Sequence, residues 1–300
     1  MALLCGVALT PYPAPNSIAG TAVLASRAAA HVADAVPKVW LVDAGDGYEL
    51  YSNGLRIETG FTVSNVARKA RVAGIVYHET ESHQASFEPS ETGSLTRIGR
   101  ELLEFVRRNH SYNYLVDRFG RVWRIVPESD VAYHAGRSVW ADSQGSYVNL
   151  NSNFLGVAVE SAGGAPPTEG QIHALRTLTE WLRRRHGIQA GNCVTHAQVS
   201  VNPDNMRIGY HSDWAAGFPF AGAGLPDNYR VPLPAVLDFG FGYDAALVRA
   251  AGGHVWPGIE RAEEELRLEA ARWHTGETQL RQQLQQRYRR ILNLQQGDNR

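Results

Sequence analysis

Cysteine is nearly missing: 300 residues hold only Cys5 and Cys193, far apart and in no Cys-x-x-Cys pair. That argues against a disulfide framework and against a thiolate zinc site. Charge of one sign is missing too. The 29 Lys and Arg against 30 Asp and Glu leave a net charge of -1, which offers neither a nucleic-acid groove nor a face for an anionic membrane. No apolar run is long enough to span a bilayer. The opening "MALLCGVALTPYPAPNSIAG" has no basic residue before Arg27, and Pro breaks its apolar run early. It therefore lacks the pattern of an export signal, and synthesis in the cytoplasm without a Sec signal is the expectation.

What is present suits a globular protein with a real core: 44% of residues are hydrophobic and 20% charged. The length fits one large domain, or a medium one with flanking pieces. Any metal would have to use His, Asp or Glu, and eleven His supply choices.

Residues 1–70 read as an N-terminal extension. "VPKVWLVDAG" and "YELYSNGLRIET" alternate apolar and polar residues around turns, which predicts short strands with an attachment or packing role. Residues 71–220 read as α/β, a central mixed sheet flanked by helices. "VAGIVYHET", "NFLGVAVES" and "NCVTHAQVS" are strands, and "SYNYLVDRFGRVWRIVP" is a hairpin turning at Phe119-Gly120. "SLTRIGRELLEFVRRNH" is an amphipathic helix with Ile98, Leu102, Phe105 and Val106 on one face. A second helix opens on a Thr168 cap and runs to Gly187. Residues 221–256, rich in Gly and Pro, read as a wrapping segment or linker. Residues 257–300 read as a polar helical tail in which Ile259, Leu266, Trp273 and Leu280 recur every seven residues, continued by Leu284 and Ile291. That stripe suits docking on a partner or packing on its own domain.

Three polar residues close strands: His78, Glu160 and His196. A single His at a strand end is more often structural. Three such ends, with His211 and Asp213 soon after, favour function, and the two strand-end His with one nearby Asp or His supply the three N/O ligands that a catalytic zinc site with one open position needs. Glu79, beside His78, could tune that ligand, with solvation the commoner reading.

These motifs, in this order, resemble the zinc-dependent N-acetylmuramoyl-L-alanine amidases, the superfamily that includes the peptidoglycan recognition proteins. The resemblance covers residues 71–220, half the chain. It implies Zn2+ as cofactor and peptidoglycan as substrate, cut between N-acetylmuramic acid and L-Ala. "IVYHET" resembles the first-ligand strand, giving His78; "VTHAQVS" resembles the second, giving His196. In "HSDWAAGFPF" the resemblance makes Asp213 the third ligand, with Phe218 and Phe220 as apolar anchors, and puts His211 where a basic residue faces the oxyanion. The reverse, His211 as ligand with Asp213 behind it, stays open. Catalytic Tyr112 comes from "SYNYLVD", with Asn113 beside it as a substrate contact, and general-base Glu160 from "GVAVES". "VAYHAGRS" makes His134 a substrate contact, and Trp140 in the following loop a candidate for the groove. "NPDNM" between His196 and Asp213 is an insertion that must loop out.

A non-catalytic peptidoglycan-binding module, or a component of a phage tail or contractile injection apparatus attached through residues 1–70 and 257–300, is the alternative. Action at the cell wall or in the periplasm, after lysis or injection, is the expected setting.

Overall fold

"GIVYHE" interleaves apolar residues on both sides of a strand, as a strand covered on both faces requires. In the computed structural model, which describes residues 47–297, it forms β3 (Gly74–Glu79), buried along its whole length. The strands expected in "VPKVWLVDAG" lie outside the described residues.

β8 (Phe154–Val159) runs parallel to β3, with His78 opposite Ala158. β9 (Cys193–Thr195) runs parallel on the other side, with Tyr77 opposite Thr195. β4 (Tyr114–Val116) and β5 (Val122–Arg124) form the expected hairpin, whose turn needs the positive φ of Gly120. β1 (Tyr48–Leu50) and β2 (Arg56–Glu58) pair antiparallel, and β2 joins β5. The order β1-β2-β5-β4-β8-β3-β9 is a mixed sheet. "YELYSNGLRIET" is therefore the edge of the central sheet, not a separate attachment.

Helices cover both faces. α1 (Thr92–Asn109) buries Leu95, Leu103 and Val106, the last two against Leu115, Trp123 and Ala158. The expected face is off at one position: Phe105 points out, 54% exposed. α2 (Glu169–His186) covers the other face with Leu175, Leu178 and Leu182 against Ile75, Tyr77 and Val157. Its ends are as expected, with a Thr168–Gln171 capping box and Gly187 in the left-handed conformation.

α3 (His196–Val199) follows β9 directly. The insertion forms a small hairpin, β10 (Val201–Asn202) against β11 (Arg207–Ile208), and so returns the chain towards His196. A second hairpin, β6 (Val139–Asp142) with β7 (Gly145–Val148), precedes β8.

The stretch 221–256 is a packed layer and not a linker. α4 (Pro234–Phe239) and α5 (Ala245–Ala250) bury Val236, Phe239, Phe241 and Leu247 in a second core. α6 (Pro257–Arg272) adds Ile259 and Ala262, and α7 (Glu277–Gly297) adds Tyr288 with Ile291 partly buried. α7 is fixed by its side chains on α4: Gln285 Nε2 donates to the Gly240 carbonyl at 2.9 Å and Arg281 to that of Phe241 at 3.1 Å. Ile259, Leu266 and Ile291 of the heptad stripe pack on the protein itself. Trp273, at the break between the two helices, is 67% exposed.

Candidate metal centre and its groove

His78 and His196 meet because their strands are neighbours. Tyr77 pairs with Thr195, so the next residue on each strand emerges at the same level, and the two imidazole rings lie 4.4 Å apart. A capping box between Thr195 and Gln198 turns the chain into α3 at that point. Asp213 arrives from the loop after β11, its carbonyl accepting the Ala197 N–H at 3.2 Å. Asp213 Oδ2 lies 3.1 Å from His78 Nδ1, and Oδ1 lies 2.8 Å from His196 Nδ1. All three residues are buried. Burial opposes the Asp213 charge, but the hydrogen bond to His196 and the closeness of both imidazoles hold the carboxyl below its ordinary range. Burial, then the neighbouring His196, lowers His78 to about 4.

The tautomers of two neighbouring histidines decide whether this set suits a cation. His134 Nε2 lies 3.2 Å from the Phe154 carbonyl, which can only accept, so Nε2 carries the proton. Burial, then the neighbouring His78, keeps His134 neutral, with its pKa well below the usual histidine range. Its Nδ1 is then an acceptor, and His78 Nε2, 3.2 Å away, must donate to it. His78, also neutral, therefore directs the bare lone pair of Nδ1 at Asp213. Two acceptors 3.1 Å apart need a positive charge between them. Ligand atoms of the three residues lie within 4.8 Å of one another, and a tetrahedral shell with bonds of about 2.0–2.1 Å sets its ligands roughly 3.3 Å apart. The donors are two nitrogens and a carboxylate oxygen, a set that fits zinc.

The three residues lie in an open groove of about 500 Å³, which Tyr112, His134, His211, Tyr133 and Glu81 also line. The Tyr112 ring is 5.2 Å from that of His78. Burial, then the Asp213 charge, pushes its hydroxyl far above the usual tyrosine pKa. His211 is exposed and stacks on His196 at 4.6 Å. Its backbone is tied to Ser200 Oγ, and the ring has no bond to Asp213. Among the described residues the three-ligand group is His78, His196 and Asp213, with His211 outside it.

Five readings change. Glu160 does not line the groove. The β8 residue opposite His78 is Ala158, and Glu160 lies roughly 7 Å further along the strand. There it accepts the Arg118 N–H at 3.1 Å, beside a narrow cavity under α1 lined by Leu95, Ile98 and Leu115. Trp140 is 1% exposed and donates to Asn192 Oδ1 from within the core, so it lines no groove. Asn113 is fully buried. Its amide donates to the Val126 and Pro127 carbonyls, and its Oδ1 accepts the Gly156 N–H at 3.1 Å, which leaves nothing for a substrate. His134 does line the groove, but both ring nitrogens are engaged, one by His78 and one by Phe154. Its backbone is pinned by Asn151 Oδ1, and a Cβ at Gly156 would come within 2.6 Å of its ring.

Glu79, read as solvated, is 8% exposed and braces the site: its carboxylate accepts from Ser161 Oγ, the Gly164 N–H and the Trp214 N–H. The Asp213 loop is also held from outside. Tyr229 donates its hydroxyl proton to the Trp214 carbonyl at 2.6 Å, and Trp256 donates its indole N–H to that of Ala215 at 2.8 Å. Sequence reasoning missed Asn151 and Glu81. Asn151 opens the stretch that leads into a buried strand and was given no role of its own, and the placement of Glu81 depends on a backbone conformation no pattern encodes.

Residues 68–213 match the family model described as N-acetylmuramoyl-L-alanine amidase. Over 89 residues the chain is 33% identical to the N-acetylmuramoyl-L-alanine amidase AmiD of Escherichia coli K12, covering 27% of this chain and 31% of that protein. It thus spans about a third of the length of this curated relative. Among solved structures, AmiD from E. coli in complex with the substrate anhydro-N-acetylmuramic acid-L-Ala-D-γ-Glu-L-Lys is 22% identical, with a TM-score of 0.43 over 73% of this chain and 92% of that one. AmpDh3 from Pseudomonas aeruginosa is 20% identical, with a TM-score of 0.41 over 66% of this chain and 88% of that one.

Proposed function

Residues 68–213 belong to the N-acetylmuramoyl-L-alanine amidase superfamily, and from that premise we propose that the protein is a zinc-dependent amidase. Its substrate is peptidoglycan, and the bond it cuts joins the lactyl group of N-acetylmuramic acid to L-Ala of the stem peptide. That substrate would place its action at the cell wall.

One observation carries the reading: the fixed His78 lone pair and the Asp213 carboxylate converge with His196 at the floor of an open groove. His78, His196 and Asp213 would hold the ion and leave one position for the reaction, as catalytic zinc sites do. Bound there, zinc supplies the Lewis acid that polarises the scissile carbonyl and makes water acidic. The other groups act on the substrate. Tyr112 keeps its proton, because burial and Asp213 oppose the phenolate. It can therefore donate a hydrogen bond to the oxygen that gains charge as the carbonyl becomes tetrahedral. His211 faces the same groove. Partial burial, then the neighbouring His196, lowers its pKa, the direction that favours a neutral N–H donor. His134 maintains the orientation of His78.

The test is amide cleavage on purified sacculi, read by mass spectrometry as new N-terminal L-Ala, with and without a zinc chelator. The expected result is release of L-Ala-headed peptides that the chelator abolishes and zinc restores. Release unaffected by the chelator would remove zinc from the reading. No release by folded, zinc-loaded protein would remove the amidase.

A further inference from the structure

With Glu160 outside the groove, the proton that leaves the attacking water needs another acceptor. The carboxylates lining the groove are Glu79, Glu81 and Asp213. Asp213 is engaged by both histidines. Glu79 accepts three hydrogen bonds and is buried. Glu81 is exposed at the groove, and among the described residues nothing bonds its carboxylate.

Its backbone is unusual. Glu81 has φ of 48°, a left-handed conformation that costs a non-glycine residue free energy. The residues on either side continue the sheet, with Thr80 N–H donating to the Val159 carbonyl and Ser82 N–H to that of Ser161. The strained residue therefore lies between two anchored neighbours, just past the strand that carries His78.

We propose that Glu81 is the catalytic carboxylate of this site. It takes a proton from the water as the new C–O bond forms. It returns that proton to the amide nitrogen as the C–N bond breaks, leaving a carboxylic acid on one product and a free amine on the other. This assignment rests on the amidase reading. Glu81 shares the groove with Glu79, Tyr112, His196, His211 and Asp213. Partial burial, then the negative charges of Asp213 and Glu79, raise its pKa above the usual carboxylate range, in the direction that suits a base working near neutrality.

The experiment compares full-length, zinc-loaded wild type, E81Q and E160Q on a soluble N-acetylmuramoyl-L-Ala peptide, with zinc affinity measured in parallel. For E81Q we expect kcat to fall about 100-fold or more, zinc affinity to stay unchanged, and the acid limb of the kcat–pH profile to disappear. E160Q should retain the wild-type rate. Wild-type kcat in E81Q, or a loss that follows zinc loss, overturns the role of Glu81 and leaves the amidase reading intact. A zinc-loaded wild type that cleaves nothing overturns both.

Discussion

Burial, with the Asp117 charge adding to it, lifts the Glu160 carboxyl to about 7. The folded protein therefore favours the protonated form. Its contribution is fully present below the ordinary carboxylate pKa of about 4.5 and is lost as pH rises to about 7. The size is of the order of 3 kcal/mol. Thermal melts of wild type and E160Q between pH 4.5 and 8 should diverge, the wild type losing stability relative to the variant as pH rises. Parallel curves would mean that Glu160 is hydrated in solution. The same residue shows how far single positions were legible. His78 and His196 stand out because each follows an apolar strand, and that pattern is local. Glu160 ends an equally convincing strand, but what it faces is set by its register against β3 and by the covering helix α1. Neither is encoded within "GVAVES". His134 was recognisable as part of the site, whereas its service to His78 through the Phe154 carbonyl becomes apparent only in three dimensions.

Elements were legible where period and caps agree. α2 has its capping box and its left-handed glycine where the sequence puts them. α1 was placed well along the chain and misjudged in rotation, because "LLEFV" offers apolar residues on adjacent faces and only the sheet beneath selects among them. Leu103 is 2% exposed while Phe105, two residues on, is 54% exposed. Urea denaturation should report a loss of about 2–4 kcal/mol for L103A and within about 0.5 kcal/mol for F105A. Equal losses would mean that α1 is rotated from the orientation described. The polar spacing of "NPDNM" gave no hint that the insertion closes as a hairpin, since two-residue strands leave almost no periodic signal.

At the scale of the whole molecule, the sequence divided the chain at composition changes that the fold does not respect. Low periodicity in 221–256 reflects short helices joined by tight turns, and their apolar residues meet α6 and α7 to form the second core. Removing residues 257–300 would uncover Phe239 and Phe241, both fully buried. Such a truncation should lose its cooperative thermal transition and bind a hydrophobic dye. A sharp melt at the full-length temperature would show the tail to be dispensable. A further consequence follows from the two outside hydrogen bonds on the Asp213 loop. The donors, Tyr229 and Trp256, lie beyond residue 213, where the family match ends. A cassette cut at the boundaries of that match would carry both histidines and the aspartate and leave their fastening behind. The smallest portable unit of this chain is therefore longer than its recognisable motif, and grafting the motif alone would transfer the letters of the site without its grip.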